Sequence, residues 1–202
     1  MKFVTTPGLG AALLLLLPLS LSAQESVRDK VIAKAEALAA QPYKAPPAIP
    51  RFMRDLSYDQ YQGIRFKPES SLWQDSDSDF KAMLVPPGLF YTHPVAINIV
   101  KEGEIEPLGF NKSDFTYPNT EVEQQVPADL GYAGFKLTFP LEGEDIQNQF
   151  LVFAGASYYR AVSRDTNFGI SGRGLALNTG LPGGEEFPAF TEYWLETPKP
   201  GD

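Results

Sequence analysis

The chain has 202 residues, 43% hydrophobic and 12% aromatic, which allows one large or two small domains. Its formal net charge is −8, so it carries no basic footprint for nucleic acid or anionic lipid, and the acidity fits either a neutral partner such as a sugar or solubility alone. With no cysteine and a single histidine it has no disulfide, thiolate or cysteine–zinc chemistry, and no cofactor is expected.

Residues 1–23 read as a secretory signal. Lys2 supplies the positive start, Ala11 to Leu17 is an apolar run, Pro18 breaks it, and Ser20, Ser22 and Ala23 provide small residues for cleavage. The run falls short of the ~20 residues that cross a bilayer as a helix. Export with no stable membrane insertion is therefore expected, the alternative being an uncleaved anchor, and a chain without cysteine is compatible with the periplasm. Residues 26–40 read as an amphipathic helix capped by Ser26, with Val27, Val31, Ile32, Ala35 and Leu38 on one face. Pro42, Pro46, Pro47 and Pro50 then force an extended connector, which sets 24–50 apart from the rest. Ser57 to Gln60 has the form of a capping box opening a short helical turn that Gly63 ends.

From residue 64 onward the pattern is strands and turns. Expected strands are 64–67, 80–85, 95–101, 134–139, 149–156, 170–177 and 190–196. In 134–139 Phe135, Leu137 and Phe139 alternate with Lys136 and Thr138; in 95–101 Val95, Ile97 and Ile99 alternate with Ala96, Asn98 and Val100. The run Phe150-Leu151-Val152-Phe153-Ala154 reads as a strand buried on both faces. The spacing, and a composition with 18 prolines and 17 glycines, favour an antiparallel β-sandwich.

Several clusters are candidates for chemistry. His93 has no Gly-x-Ser-x-Gly elbow to serve. Asp75, Asp77 and Asp79 alternate as in a calcium loop, but Phe80 stands where glycine is required and Pro86 where glutamate is, so a solvated acidic turn is expected. In period two, Tyr158 and Arg160 share a face and Tyr159 takes the other, making Tyr158 and Arg160 a groove wall; in the bland alternative Arg160 bridges to an acid. Arg173 sits between Gly172 and Gly174, glycines that serve either ligand approach or packing. Glu185 and Glu186 are adjacent and so point to opposite faces; one is expected to pair with an arginine such as Arg173, and neither is assigned as catalytic. Phe190, Tyr193 and Trp194 divide between core and groove, with Trp73 as a further rim candidate. Aromatics interleaved with charged donors suit an oligosaccharide, so the substrate-binding set is Tyr158, Arg160, Arg173, Glu185, Glu186 and Trp194.

The same stretches carry a family resemblance. Ala156-Ser157-Tyr158-Tyr159-Arg160, then 169–179 (GISGRGLALNT), then 182–196 (PGGEEFPAFTEYWLE) resemble the periplasmic osmoregulated-glucan biosynthesis proteins G and D. Upstream, 55–61 (DLSYDQY), 64–66 (IRF) and 131–136 (GYAGFK) fit the same family, so the resemblance spans about 33–200. It implies a galactose-mutarotase-like β-sandwich and a β-1,2-linked glucan as partner. It implies either hydrolysis of that glucan or its presentation to a membrane synthase. It also implies a longer protein, with the rest of the sandwich, an immunoglobulin-like domain and the catalytic aspartates beyond Asp202; residues 51–202 would then be the front of the sandwich, a fragment expected to aggregate alone.

Overall fold

The computed structural model describes residues 25–143 and 146–202. The secretory-signal reading of 1–23 lies outside them, and among them no helix is long and apolar enough to cross a membrane.

Helix α1 (Val27–Ala39) starts where expected: Ser26 Oγ accepts from the Asp29 amide at 3.2 Å and donates to the Asp29 carboxylate at 2.6 Å. Its apolar face is not sunk into a core, however. No residue of α1 is buried, and Leu38 is 58% exposed. The helix touches the body along one strip, where Lys34 pairs with Glu192 and lies over the Trp194 ring at 5.5 Å. After a short helix α2 (Arg51–Arg54), α3 (Tyr58–Gln62) opens on the expected capping box. Ser57 and Gln60 exchange side-chain-to-amide bonds of 3.2 and 2.9 Å, and Gly63 caps the far end.

Ten strands follow among the described residues: β1 (Arg65–Phe66), β2 (Lys81–Val85), β3 (Ala96–Lys101), β4 (Glu104–Pro107), β5 (Phe115–Thr116), β6 (Gly134–Phe139), β7 (Asn148–Ala154), β8 (Tyr158–Ala161), β9 (Gly172–Arg173) and β10 (Glu192–Glu196). An antiparallel sheet of order β2-β6-β7-β8-β9 forms one layer. The second is β10-β3-β4, in which β3–β4 is an antiparallel hairpin and β10 runs parallel to β3. A two-stranded ladder, β1-β5, stands beside them. Between the layers Phe135 and Phe153 lie 5.2 and 5.8 Å from the Tyr193 ring, and Ile97, Met53 and Tyr132 are fully enclosed. The described residues are thus mainly β, built of packed, largely antiparallel sheets with few helices and no closed barrel among them.

Three departures have local causes. β7 is not buried on both faces: only Ala154 is buried, on the outer side against Val85, Ala133 and Tyr91, while the core-facing Leu151 and Phe153 are half-buried. The strand expected over 170–177 shrinks to β9, plus an isolated bridge between Leu177 and Glu186. Gly172 and Gly174 serve packing there, since a β-carbon would stand 2.9 Å from the Tyr159 ring or 2.7 Å from the Ser157 carbonyl oxygen. Helix α4 (Thr120–Gln125) was not expected from a polar run; the Asn119 side chain accepts from the Val122 amide at 2.9 Å, and Val122 is its one buried residue. The acidic turn at 75–79 folds around a lysine: Lys81 Nζ donates to the carbonyls of Trp73, Ser76 and Ser78 at 2.7, 3.4 and 2.8 Å.

Candidate functional site

Alternation along the central strands sorts their side chains. Phe135, Leu151, Phe153 and Tyr159 face the core, so Lys136, Val152 and Arg160 face outward, and the register sets them in one cross-strand row, Met83–Lys136–Val152–Arg160. Tyr158 lies on the same outer face beside Ala154. The period-two expectation for Tyr158, Tyr159 and Arg160 holds.

Two adjacent clefts follow this row. One, about 370 Å³, lies between the α3–β1 segment and the sheet, with Tyr61, Gln62, Arg65, Met83 and Lys136 in its walls; that volume is in the range of small-molecule pockets. The other, about 120 Å³, is walled by Tyr91, Val152, Ala154, Tyr158 and Arg160. The Tyr61 and Tyr91 rings, one from the wall of each cleft, meet edge to face at 6.2 Å and stand between the two compartments of this outer-face groove. Burial, with Tyr158 adding to it, pushes the Tyr91 phenol above its ordinary range; burial does the same at Tyr61, whose hydroxyl donates to the Pro86 carbonyl at 2.9 Å. Burial alone pulls the Lys136 ammonium below its usual range. Both tyrosines therefore stay neutral donors at physiological pH.

Arg173 stands behind the Tyr158 wall of the smaller cleft. Its guanidinium forks onto Glu185, with Nη2 to Oε2 at 3.0 Å and a second bond from Nε to Oε1, and it lies 5.9 and 5.2 Å from the Tyr158 and Phe187 rings. Glu185 is thus the glutamate that pairs, and the ion pair fixes the Tyr158 ring from the side. The hydrogen bond to Arg173 lowers the Glu185 pKa, so the contact is complete above the usual carboxylate value and is lost as pH falls through the depressed one. Glu185→Gln is expected to leave residues 183–190 loose already at neutral pH and to remove the acid-triggered loosening of the parent. Amide hydrogen exchange of residues 183–190 across pH 3–7, corrected for the intrinsic pH dependence of exchange, checks this; identical profiles for the two proteins would count against it.

The remaining candidates fall elsewhere. Glu186 makes no ion pair with Arg173 among the described residues, and its amide bonds the Leu177 carbonyl at 3.1 Å. Trp194 lies on β10 under Lys34 and, with Trp73, walls a separate apolar cleft of about 430 Å³. Of the six residues named from sequence, Tyr158, Arg160, Arg173 and Glu185 come together and Glu186 and Trp194 do not. Arg160 has no carboxylate within ion-pair range among the described residues; its Nε donates to Ser171 Oγ at 3.3 Å. Missed from sequence were Tyr61, Tyr91 and Lys136. Only Lys136 carried a signal, as the polar phase of the β6 alternation.

Residues 27–202 match the family described as periplasmic glucan biosynthesis protein, MdoG. Three curated relatives are each named glucans biosynthesis protein G. The one from Rhodopseudomonas palustris (strain BisA53) is 41% identical over 167 residues, 82% of this chain and 33% of the relative. Those from Pseudomonas putida (strain W619) and Dickeya dadantii (strain 3937) are 40% and 39% identical over 175 residues, 86% of this chain and 30% and 34% of the relatives. The chain spans about a third of the length of these relatives.

Proposed function

This chain belongs to the MdoG family of periplasmic glucan biosynthesis proteins, and from that membership we propose that it acts in the periplasm in glucan biosynthesis, holding a β-1,2-linked glucose backbone in the groove over the five-stranded sheet. The observation that carries the reading is the fixed Tyr158 ring, set beside Arg160 and Tyr91 on an open face. A pyranose presents an apolar C–H face and an edge of hydroxyls; aromatic faces stack on the first and tyrosine and arginine donors meet the second.

The groove walls of this chain support glucan binding under both activities the resemblance leaves open, hydrolysis by the longer protein and presentation to a membrane synthase as partner. Glycoside hydrolysis requires two carboxyl groups across the scissile bond. No carboxylate lines either cleft among the described residues, and Glu185 is committed to Arg173. These residues supply wall and platform rather than catalysts.

Calorimetric titration of the purified chain with linear β-1,2-glucan tests the reading, with a β-1,4-glucan as control. Saturable heat is expected with the first only, and Tyr158→Ala is expected to weaken binding about tenfold, the loss of one stacking contact worth ~1.4 kcal/mol. A cooperatively folded chain that binds neither polymer would end this reading.

A further inference from the structure

Helix α1 is joined to the body by charge more than by buried apolar area. Apart from the half-buried Val27 and Val31, every residue of the helix is exposed. Val31, Lys34, Ala35 and Leu38 form the stripe that faces the body, and a cleft of about 530 Å³ separates it from Pro188, Phe190 and Trp194. So loose a fit gains little from burial. The ion pair of Lys34 with Glu192, by contrast, is well prepared. Alternation on β10 puts Glu192 and Trp194 on the face away from Tyr193 and the core. Asn98, the β3 neighbour of Trp194 and only 6% exposed, donates through Nδ2 to Glu192 Oε1 at 2.9 Å and to the Tyr193 carbonyl at 3.2 Å. The carboxylate is thereby aimed from the sheet side, and its Oε2 takes the Lys34 ammonium, which also stands 5.5 Å from the centre of the Trp194 ring.

We infer that α1 is a salt-released strap: at low ionic strength the Lys34–Glu192 contact latches it across β10, and screening of that contact lets it swing away, uncovering Trp194 and Phe190. The pair is open to screening, since the Lys34 side chain is 50% exposed. The chain on either side of the latch permits the motion. From Pro42 to Ala48 the connector forms no helix or strand and, among the described residues, no hydrogen bond; the first fixed point is Ile49, whose amide donates to the Thr92 carbonyl at 3.0 Å. Those residues, held extended by Pro42, Pro46 and Pro47, reach about 23 Å, enough to carry the helix clear of β10. Once free, a 13-residue helix is marginal in water and unwinds. The strap makes exposure of the apolar face around Trp194 a function of ionic strength.

Amide hydrogen exchange of the purified chain at pH 7, in 20 mM and in 500 mM sodium chloride, tests the inference. In the parent, the amides of residues 31–39 are expected to exchange about threefold faster at the higher salt, the span of a screened surface ion pair, while those of 134–139 in the sheet keep their rates. Lys34→Met keeps the aliphatic stem and removes the charge; it should reach the fast rate already at 20 mM and lose the salt response. Glu192→Gln retains an oxygen for Asn98 and should shift the same way. The double variant should match Lys34→Met, because the glutamate then has no partner left to lose. Lys34→Arg should restore both the slow rate and the salt response. Unchanged rates over 134–139 show that each variant is folded. Exchange over 31–39 in the parent that ignores salt, a Lys34→Met rate equal to the parent's at 20 mM, or single-variant effects that add in the double variant would each overturn the inference.

Discussion

Gly134→Ala is expected to abolish the native fold. Gly134 opens β6 at the centre of the five-stranded sheet, opposite Ala154 of β7. A β-carbon there would lie 2.0 Å from the Phe153 carbonyl oxygen and 2.8 Å from the Ala154 α-carbon. Both are backbone atoms, so no side-chain rotation relieves the clash; β6 would have to leave β7 or slip its register, which turns Phe135 and Leu137 outward. The expected loss exceeds ~4 kcal/mol, a large share of the stability of an ordinary domain. Gly103→Ala is the control. Gly103 also has a positive φ, +86°, but nothing stands within 4 Å of the added carbon, so only ~1–2 kcal/mol of backbone strain is expected. Urea melts followed by circular dichroism separate the two, and a Gly134→Ala protein with an unchanged midpoint would refute the argument.

The features legible in the sequence were those fixed by short-range pattern. The 134–139 strand was read with its exact ends because alternation and layer packing agree there, with Phe135 inward and Lys136 outward. Ser57 and Gln60 revealed α3 because a capping box is wholly local. Tyr158 and Arg160 were found because period two decides their face without reference to any partner. What was missed depends on long-range approach. Tyr61 comes from α3 and Tyr91 from a loop, and only the folding of both over the outer sheet makes them groove walls. Trp194 was misplaced because aromatic character says nothing about side: its neighbour Tyr193 turns into the core against Phe135, which sends Trp194 to the opposite surface. β4 escaped notice because an edge strand with Ile105 as its one aliphatic between glutamates shows no pattern.

Lys81→Met is expected to cost about 3 kcal/mol and to lower the melting temperature by about 10 °C. Methionine replaces the aliphatic stem with little change of volume, so the difference isolates the ammonium. That group satisfies three carbonyls, those of Trp73, Ser76 and Ser78, and Lys81 is only 9% exposed. Removing it takes the donor from the Ser76 carbonyl and from the buried Ser78 carbonyl, the expensive side of hydrogen-bond energetics, while the Trp73 carbonyl keeps its bonds from Ser76. Trp73 is held at φ +64°, unusual for a bulky residue, while its carbonyl accepts from Lys81 and from Ser76. Without the lysine the turn at 73–79 is expected to relax, and tryptophan fluorescence should shift before the global transition. Lys81→Arg should recover only part of the loss, because a planar fork cannot aim at three carbonyls arranged around a point charge. A Lys81→Met melt coincident with the parent would show that water replaces the ammonium freely. The consequence reaches the groove: Lys81 pairs with Thr138 at one end of the β2–β6 ladder and Val85 with Gly134 at the other, with Met83 and Lys136 midway. The caged lysine and the bare glycine thus fix the two ends of the segment on which the groove floor is built. Loosening either end displaces Lys136 without touching it.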